Sequence, residues 1–472
     1  MNLISEISNC NVQNIYSKTE QLELLPMELS PVKGKTIIAN FDGGNISSDA
    51  GVMLLSEGSF RKEVEKNIGI IKAIESVLED KRDSRYVEHQ YSEMISQRVF
   101  QIASGYEDAN DCNSLRDDPI LKLCTDKLPL SDSPLASQPT MSRFENTPSR
   151  TELYKVAQAM VHNFIDSYTE EPKLMVLDFD DTDNITYGNQ QLALFNGYYG
   201  ETCYMPLHVY EGISGKLILT ILKPGRLKGK EILSILKRII ALIRSRFKRT
   251  TIIFRGDSHF ASPEVMEWID AQKKMFFVTG LTTNAALEKQ IQAVVDSVKE
   301  QYETKGEVVR QYYSFHYQAG SWSKPMRVVA KIEMNDKSNK PNVRFIVTNA
   351  IKARAKKLYE QVYSARGNAE LFIKDHKLYL KSDRTSCNRF EANQFRLFLH
   401  SAAYVLVHCL QHSVLRGTEF ANATMQTIQL KLLKIGARVK ELNTRVKIEF
   451  SSSFAHQIIF RNVCSIFECL RC

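Results

Sequence analysis

A chain of 472 residues exceeds what one hydrophobic core ordinarily organises, so two or three domains are expected. Apolar residues make up 43% and charged residues 25% of it, which excludes a chain that is disordered overall. The formal net charge of +8, from 62 Lys and Arg against 54 Asp and Glu, suits a nucleic-acid partner without requiring one.

The nine cysteines are odd in number and irregularly spaced, which predicts reduced thiols rather than a disulfide framework. Cys464, Cys469 and Cys472 gather beside His456 at spacings that match no standard zinc pattern. The opening MNLISEISNC has no basic region followed by an apolar core, so no signal peptide is read. The most apolar long segment, Leu397–Leu410, falls short of the ~20 residues of a membrane span and reads as a buried helix. A soluble intracellular protein without a membrane partner is expected.

Residues 1–34 are polar and weakly patterned. KTIIANFDGGNISSDAGVMLL follows and reads as a hairpin turning at Asp42-Gly43-Gly44. From about 60 to 170 apolar residues recur at helical spacing, as in Tyr91–Ala103 and Arg150–Ser167. Residues 1–170 are therefore expected to form a mostly helical region for DNA binding and dimerisation.

At Pro172 the character changes. KLMVLDFD (173–180) reads as a buried strand ending in acids, Asn196-Gly197 as a hairpin, CYMPLHVY as the next strand and KLILTILK (216–223) as a third. Lys230–Lys248 is an amphipathic helix with Ile232, Leu236, Ile239, Ile240, Ile243 and Phe247 on one face. TTIIFRGD (250–257), a helix from Pro263 to Lys273 and MFFVTGL (275–281) complete an α/β core over 171–283, a mixed sheet of five strands flanked by helices. Alternating strands in 284–352 form a β-rich insertion, and helices at 353–378 and 391–412 supply the second part of the core, 353–412. The C-terminal region, 413–472, holds a basic helix near 424–440 and a strand RVKIEF.

Acids stand where chemistry could use them. The first core strand ends Asp178-Phe179-Asp180-Asp181-Thr182-Asp183; Asp178 and Asp180 share a face and Asp181 points the other way. Four carboxylates within six residues are electrostatically costly, and a divalent cation would relieve the cost. Arg255-Gly256-Asp257-Ser258-His259-Phe260 follows another buried strand, and ligands of open α/β sheets gather at such strand ends. Tyr363, Arg366, Glu370 and Lys377, with Lys374, fall on one helical stripe. Such a stripe is either a solvated face with ion pairs or the wall of a phosphate site.

Together these motifs resemble the DDE-type insertion-sequence transposases, in the branch marked by a Tyr-Arg-Glu-Lys signature. Asp180-Asp181-Thr182 is similar to that branch's Asp-x-Thr, and Arg255–Phe260 to its Arg-Ala-Asp-Ser-Gly-Phe with two departures. Tyr-x2-Arg-x3-Glu-x6-Lys is matched at all four positions. FDGGNISSDAGVMLL, GYEDANDCNSLRDDP, LASQPTMSRFEN and NRFEANQFRLFLHSAAYVL look like the insertion sequence thirteen-eighty family, so the resemblance spans nearly the whole chain.

The resemblance implies an RNase H-like core with the β-rich insertion before the Glu370 helix. It implies Asp180, Asp257 and Glu370 as catalytic, metal-holding acids, with Asp178 a further candidate ligand. Two Mg2+ ions about 3.5–4 Å apart, replaceable by Mn2+, would serve attacking and departing oxygens. Tyr363, Arg366, Lys377 and Lys374 would hold DNA phosphates, and Thr182, Arg255 and His259 would assist. Cut-and-paste transposition follows: cleavage at terminal inverted repeats, then strand transfer into target DNA, by a homodimer that pairs two ends in a bacterial cytoplasm, at the nucleoid. An RNase H-like nuclease without strand transfer would use the same acids. A transposase-derived DNA-binding protein without chemistry would be free to lose them.

Overall fold

The computed structural model describes residues 27–60, 69–225, 230–335 and 338–469. The weakly patterned residues 1–26, and Cys472 of the C-terminal cysteine group, lie outside them. Among the described residues Cys112, Cys203, Cys387 and Cys409 are free thiols. No helix among the described residues is long and apolar enough to cross a membrane.

The first elements are a hairpin, β1 (Met27–Val32) with β2 (Lys35–Ala39), and a two-residue strand β3 (Ile46–Ser47). The expected turn at Asp42-Gly43-Gly44 is not where this hairpin reverses. The reversal is at Lys33-Gly34, both at positive φ (50° and 78°), the geometry that a two-residue hairpin turn demands. Helices then dominate as far as Asp166, including Tyr91–Ala103 and Arg150–Asp166, the latter opened by a capping box of Ser149 and Glu152.

The next strands are β4 (Leu174–Asp181), β5 (Asn184–Ile185), β6 (Leu194–Asn196), β7 (Glu201–Tyr204), β8 (Leu207–Glu211), β9 (Leu217–Ile221), β10 (Thr251–Gly256) and β11 (Met275–Leu281). The insertion supplies β12 (Val309–Tyr317), β13 (Met326–Asn335) and β14 (Ser338–Thr348). One sheet of eight strands runs β12-β13-β14-β11-β10-β4-β8-β9. Five of them, β9-β8-β4-β10-β11, carry the chain order 3-2-1-4-5; β4, β10 and β11 are parallel, β8 is antiparallel to β4, and β9 is antiparallel to β8 and so runs with the others. The sheet is thus wider than the five strands expected. The insertion does not stand apart: β14 pairs antiparallel with the open edge of β11, Val278 against Thr348, and so covers an edge that would otherwise be unpaired.

The tail departs from expectation. Its helix spans Met425–Leu433 only, and Ala437–Leu442 is a strand, β15, paired with β16 (Arg445–Phe450) and with β3. Val439 is buried while Arg438 is exposed, an alternation that suits a strand with one covered face. Gly51 makes the approach of the two chain ends close: a Cβ there would stand 2.0 Å from Leu432 O.

A continuous core joins the N-terminal helices, the sheet and the long helix Phe390–Cys409. A buried charge network explains three of the motifs. Arg98 donates to Glu145 (3.1 Å) and to the carbonyls of Tyr106, Glu107 and Asp108, while Arg396 lies 3.7 Å from the same Glu145. GYED, SRFEN and NRFEANQFR are therefore one latch seen in three pieces.

Candidate active site

The strand ends of β4 and β10 and the helical segment Ala355–Tyr379 meet at one end of the sheet. That segment is not a regular helix. Wide π turns at Leu358–Tyr363 and Asp375–Tyr379 flank a tight turn at Ser364–Arg366 and an α-helical stretch Gly367–Lys374. Irregular turns of this kind re-aim side chains and recur at functional sites. The stripe expected from a period of 3.6 residues is accordingly split.

Asp178 is fully buried, and its carboxylate accepts two bonds from Arg255, Nε to Oδ1 and Nη2 to Oδ2, both 2.6 Å. Arg255 Nη1 donates to Val362 O at 2.7 Å, tying β4 and β10 to the Glu370 segment. Gly212 leaves room for the pair: a Cβ there would lie 2.2 Å from Asp178 Oδ2. Burial pushes the Asp178 carboxyl up and Arg255 draws it back. Both oxygens are committed, which makes Asp178 a brace.

Asp180, two residues on, is differently placed. Its Oδ2 accepts from Arg366 Nη1 at 2.9 Å, and its Oδ1 from the Asp181 amide at 3.1 Å. Burial pushes it up to about 7, with Asp257 and Asp181 adding repulsion that Arg366 only partly offsets. Asp181 points the other way, as the strand period requires, and takes a 2.5 Å bond from Lys223 at its Oδ1. Its buried Oδ2 has no hydrogen-bond partner, with His259 Nε2 3.8 Å away. Asp257 directly follows β10 and caps the turn Ser258–Phe260, accepting from the His259 amide at 2.8 Å.

Asp257, Ser258, Gly280, Tyr363, Arg366 and Glu370 line an open cleft of about 650 Å³. The Glu370 side chain is 67% exposed and 3.6 Å from Arg366 Nη2, so one guanidinium stands between Asp180 and Glu370. Tyr363 closes over Gly280, where a Cβ would be 2.8 Å from its hydroxyl. Lys377 turns elsewhere, to Thr182 Oγ1 (3.1 Å) and Asp183 Oδ1 (2.9 Å), and Lys374 lies 5.8 Å from the Tyr379 ring centroid. Tyr363, Arg366 and Glu370 are thus brought together, and the two lysines are not with them.

Among the described residues no three His, Cys, Asp or Glu side chains converge into a ready metal-binding group. The donor chemistry nonetheless fits a hard divalent cation. Carboxylates outnumber cations at the β4 tip, one buried Asp181 oxygen is unpartnered, and burial, with the charges of Asp257 and Asp181 beside it, holds Asp180 against ionisation. Lys223, Gly212 and Gly280 went unread in the sequence. Each acts through residues far away in the chain, and no local pattern announces that.

Residues 29–472 match the family described as transposase DDE domain group 1. No curated protein matches the chain. Among solved structures, a cryo-EM structure of a piggyBac transposase synaptic complex with hairpin DNA is similar at 12% identity, over 82% of this chain and 80% of that one, with a TM-score of 0.43. With nearly its whole length matched, the chain belongs to the transposase DDE domain group 1 family and is a transposase.

Proposed function

We propose that the chain is a cut-and-paste transposase of the Tyr-Arg-Glu-Lys branch, of the insertion sequence thirteen-eighty kind, with an RNase H-like core and Asp180, Asp257 and Glu370 as its catalytic acids. The observation that carries this reading is the grouping of these acids around Arg366 at one end of a sheet ordered 3-2-1-4-5. Asp180, Asp257 and Glu370 would hold divalent cations, Mg2+ or Mn2+, which supply an activated attacking oxygen and charge relief at the leaving oxygen when bound.

The chain's own residues do the positioning. Arg366 has the planar fork that grips phosphate and is already in the cleft, balancing Asp180. Tyr363 forms a wall beside it and can donate its hydroxyl proton to a phosphate oxygen. Lys377 holds Thr182 and Asp183 and so fixes the chain just past the β4 acids. Asp178 and Arg255 hold β4 and β10 in register, which sets the spacing of Asp180 and Asp257. DNA reading and dimerisation fall to region 1–170 in this reading, with target and end DNA as partners.

The test is labelled DNA carrying the element's ends, incubated with the protein with and without Mg2+, beside Asp257→Ala. Metal-dependent cleavage at the end and a joined product, both lost in the variant, are expected. Cleavage without end preference or joining would replace this reading with a plain nuclease. Specific binding without cleavage under any metal would make the chain a DNA-binding protein only.

A further inference from the structure

Between β4 and β8 the chain leaves the main sheet and builds a small one, ordered β5-β7-β6. Its base is anchored. Asn184 pairs with Tyr204, whose buried ring sends its hydroxyl to Gln191 O at 2.7 Å. Asn196 Nδ2 donates to Gly225 O at 2.9 Å, and Gly225 lies so close that a Cβ would stand 2.3 Å from Leu194 O.

The tip is the opposite. The turn closes from Gly200 N–H to Asn196 O at 2.8 Å, with Gly200 at φ +71°. It presents Tyr198 and Tyr199, rings in T-shaped contact at 4.9 Å, and Tyr198 is 88% exposed. An aromatic ring held in water by a rigid base gains nothing for folding; such rings are enriched where a surface takes a partner.

The hairpin is rooted where the acids are. β5 starts at the residue after Asp183, and Leu207, the first residue of β8, pairs with Asp181. Tyr199 is near enough that, after burial, the charges of Asp183, Asp181 and Asp180 help to push its phenol up to about 12. A phosphodiester held at those acids would bring its flanking nucleotides to the hairpin.

We infer that this hairpin is a base-stacking platform: Tyr198 and Tyr199 receive the face of an unpaired nucleobase beside the cut phosphodiester. The inference rests on DNA being the substrate of the acid site. Stacking on aromatic rings tolerates any base, and a base at a nick or strand end is the least costly to unstack. The ring pair therefore favours an opened end over an intact duplex without reading sequence, a task distinct from holding phosphate.

The full-length protein, without added metal, is titrated with two fluorescein-labelled probes. One is a fully paired duplex of the element's end; the other is the same duplex with unpaired nucleotides at the cleavage position, one of them 2-aminopurine. Wild type is expected to prefer the second probe and to quench its 2-aminopurine. Tyr198→Ala with Tyr199→Ala should weaken that probe roughly tenfold and leave duplex affinity unchanged, whereas Tyr198→Phe with Tyr199→Phe should retain both preference and quenching. Unchanged binding and quenching in the alanine variant, or equal weakening on both probes, overturns the platform and leaves the transposase reading intact. Binding of neither probe by wild type would sink both.

Discussion

Two carboxylate layers on one strand, in the middle of β4 and at its tip, use the same residue types to opposite ends. In the middle, Asp178 meets one guanidinium that satisfies both of its oxygens, and the pair braces two strands and a helix. At the tip, Asp180 shares one Arg366 with Glu370 and faces Asp257 and Asp181 as well. One-to-one pairing makes a structural joint; a surplus of acid makes a place where a cation or a phosphate-bound cation is wanted.

The largest effect should come from breaking the middle layer. Arg255→Ala leaves the Asp178 charge buried and unpaired, and a loss of about 3–5 kcal/mol is expected in urea unfolding. Gly212→Ala should act in the same direction by wedging a methyl group into the pair. A loss below about 1 kcal/mol for Arg255→Ala would erase the distinction between the layers.

At the tip the effects should fall on activity instead. Glu370→Ala removes an exposed side chain, so its stability cost should stay within about 0.5 kcal/mol while end cleavage drops at least about a hundredfold. Retained cleavage would remove Glu370 from the site.

Asp180 also sets a pH dependence with a definite sign. Its folded value, about 7, stands above the ordinary 3.8, so the unfolded chain gives up this proton first as pH rises. The group's contribution to stability is greatest below about pH 4, falls by up to about 4 kcal/mol as pH rises to about 7, and is flat above. In metal-free protein the urea midpoint should drop between about pH 4 and about pH 7, and Asp180→Asn should flatten that slope. An identical slope in the variant would assign the titration elsewhere.

The smallest effect sharpens the split of the helical stripe. Lys374 rests near the Tyr379 ring, away from the cleft, so Lys374→Ala should leave cleavage within about twofold. A loss like that of Glu370→Ala would return Lys374 to the phosphate site.

How much was legible follows from the range of each interaction. β4, β10 and β11 were readable because apolar runs bounded by acids or turns carry their own signal, and Ile232, Leu236, Ile239 and Ile243 are buried on one face as their spacing demanded. The N-terminal hairpin turn was misread because three turn-forming residues at 42–44 outweighed Lys33-Gly34, and a local pattern cannot say which turn has a partner strand. Residues 437–440 read as the end of a helix because their basic residues fit a helix face as well as a strand; pairing with β3 and β16 settles the matter.

The sequence by itself determined the α/β alternation, the acids at strand ends and the spacing of Tyr363, Arg366, Glu370 and Lys377, since these are local patterns of burial and charge. Tertiary structure alone decided which acid is braced and which is left with too few partners. It also decided that Arg366 stands between Asp180 and Glu370 while Lys377 turns to Asp183, and that the insertion widens the sheet. The reason is that a carboxylate's role is fixed by the cations and dipoles within a few ångströms of it, and Asp178 and Asp180 take theirs from segments 77 and 186 residues away along the chain.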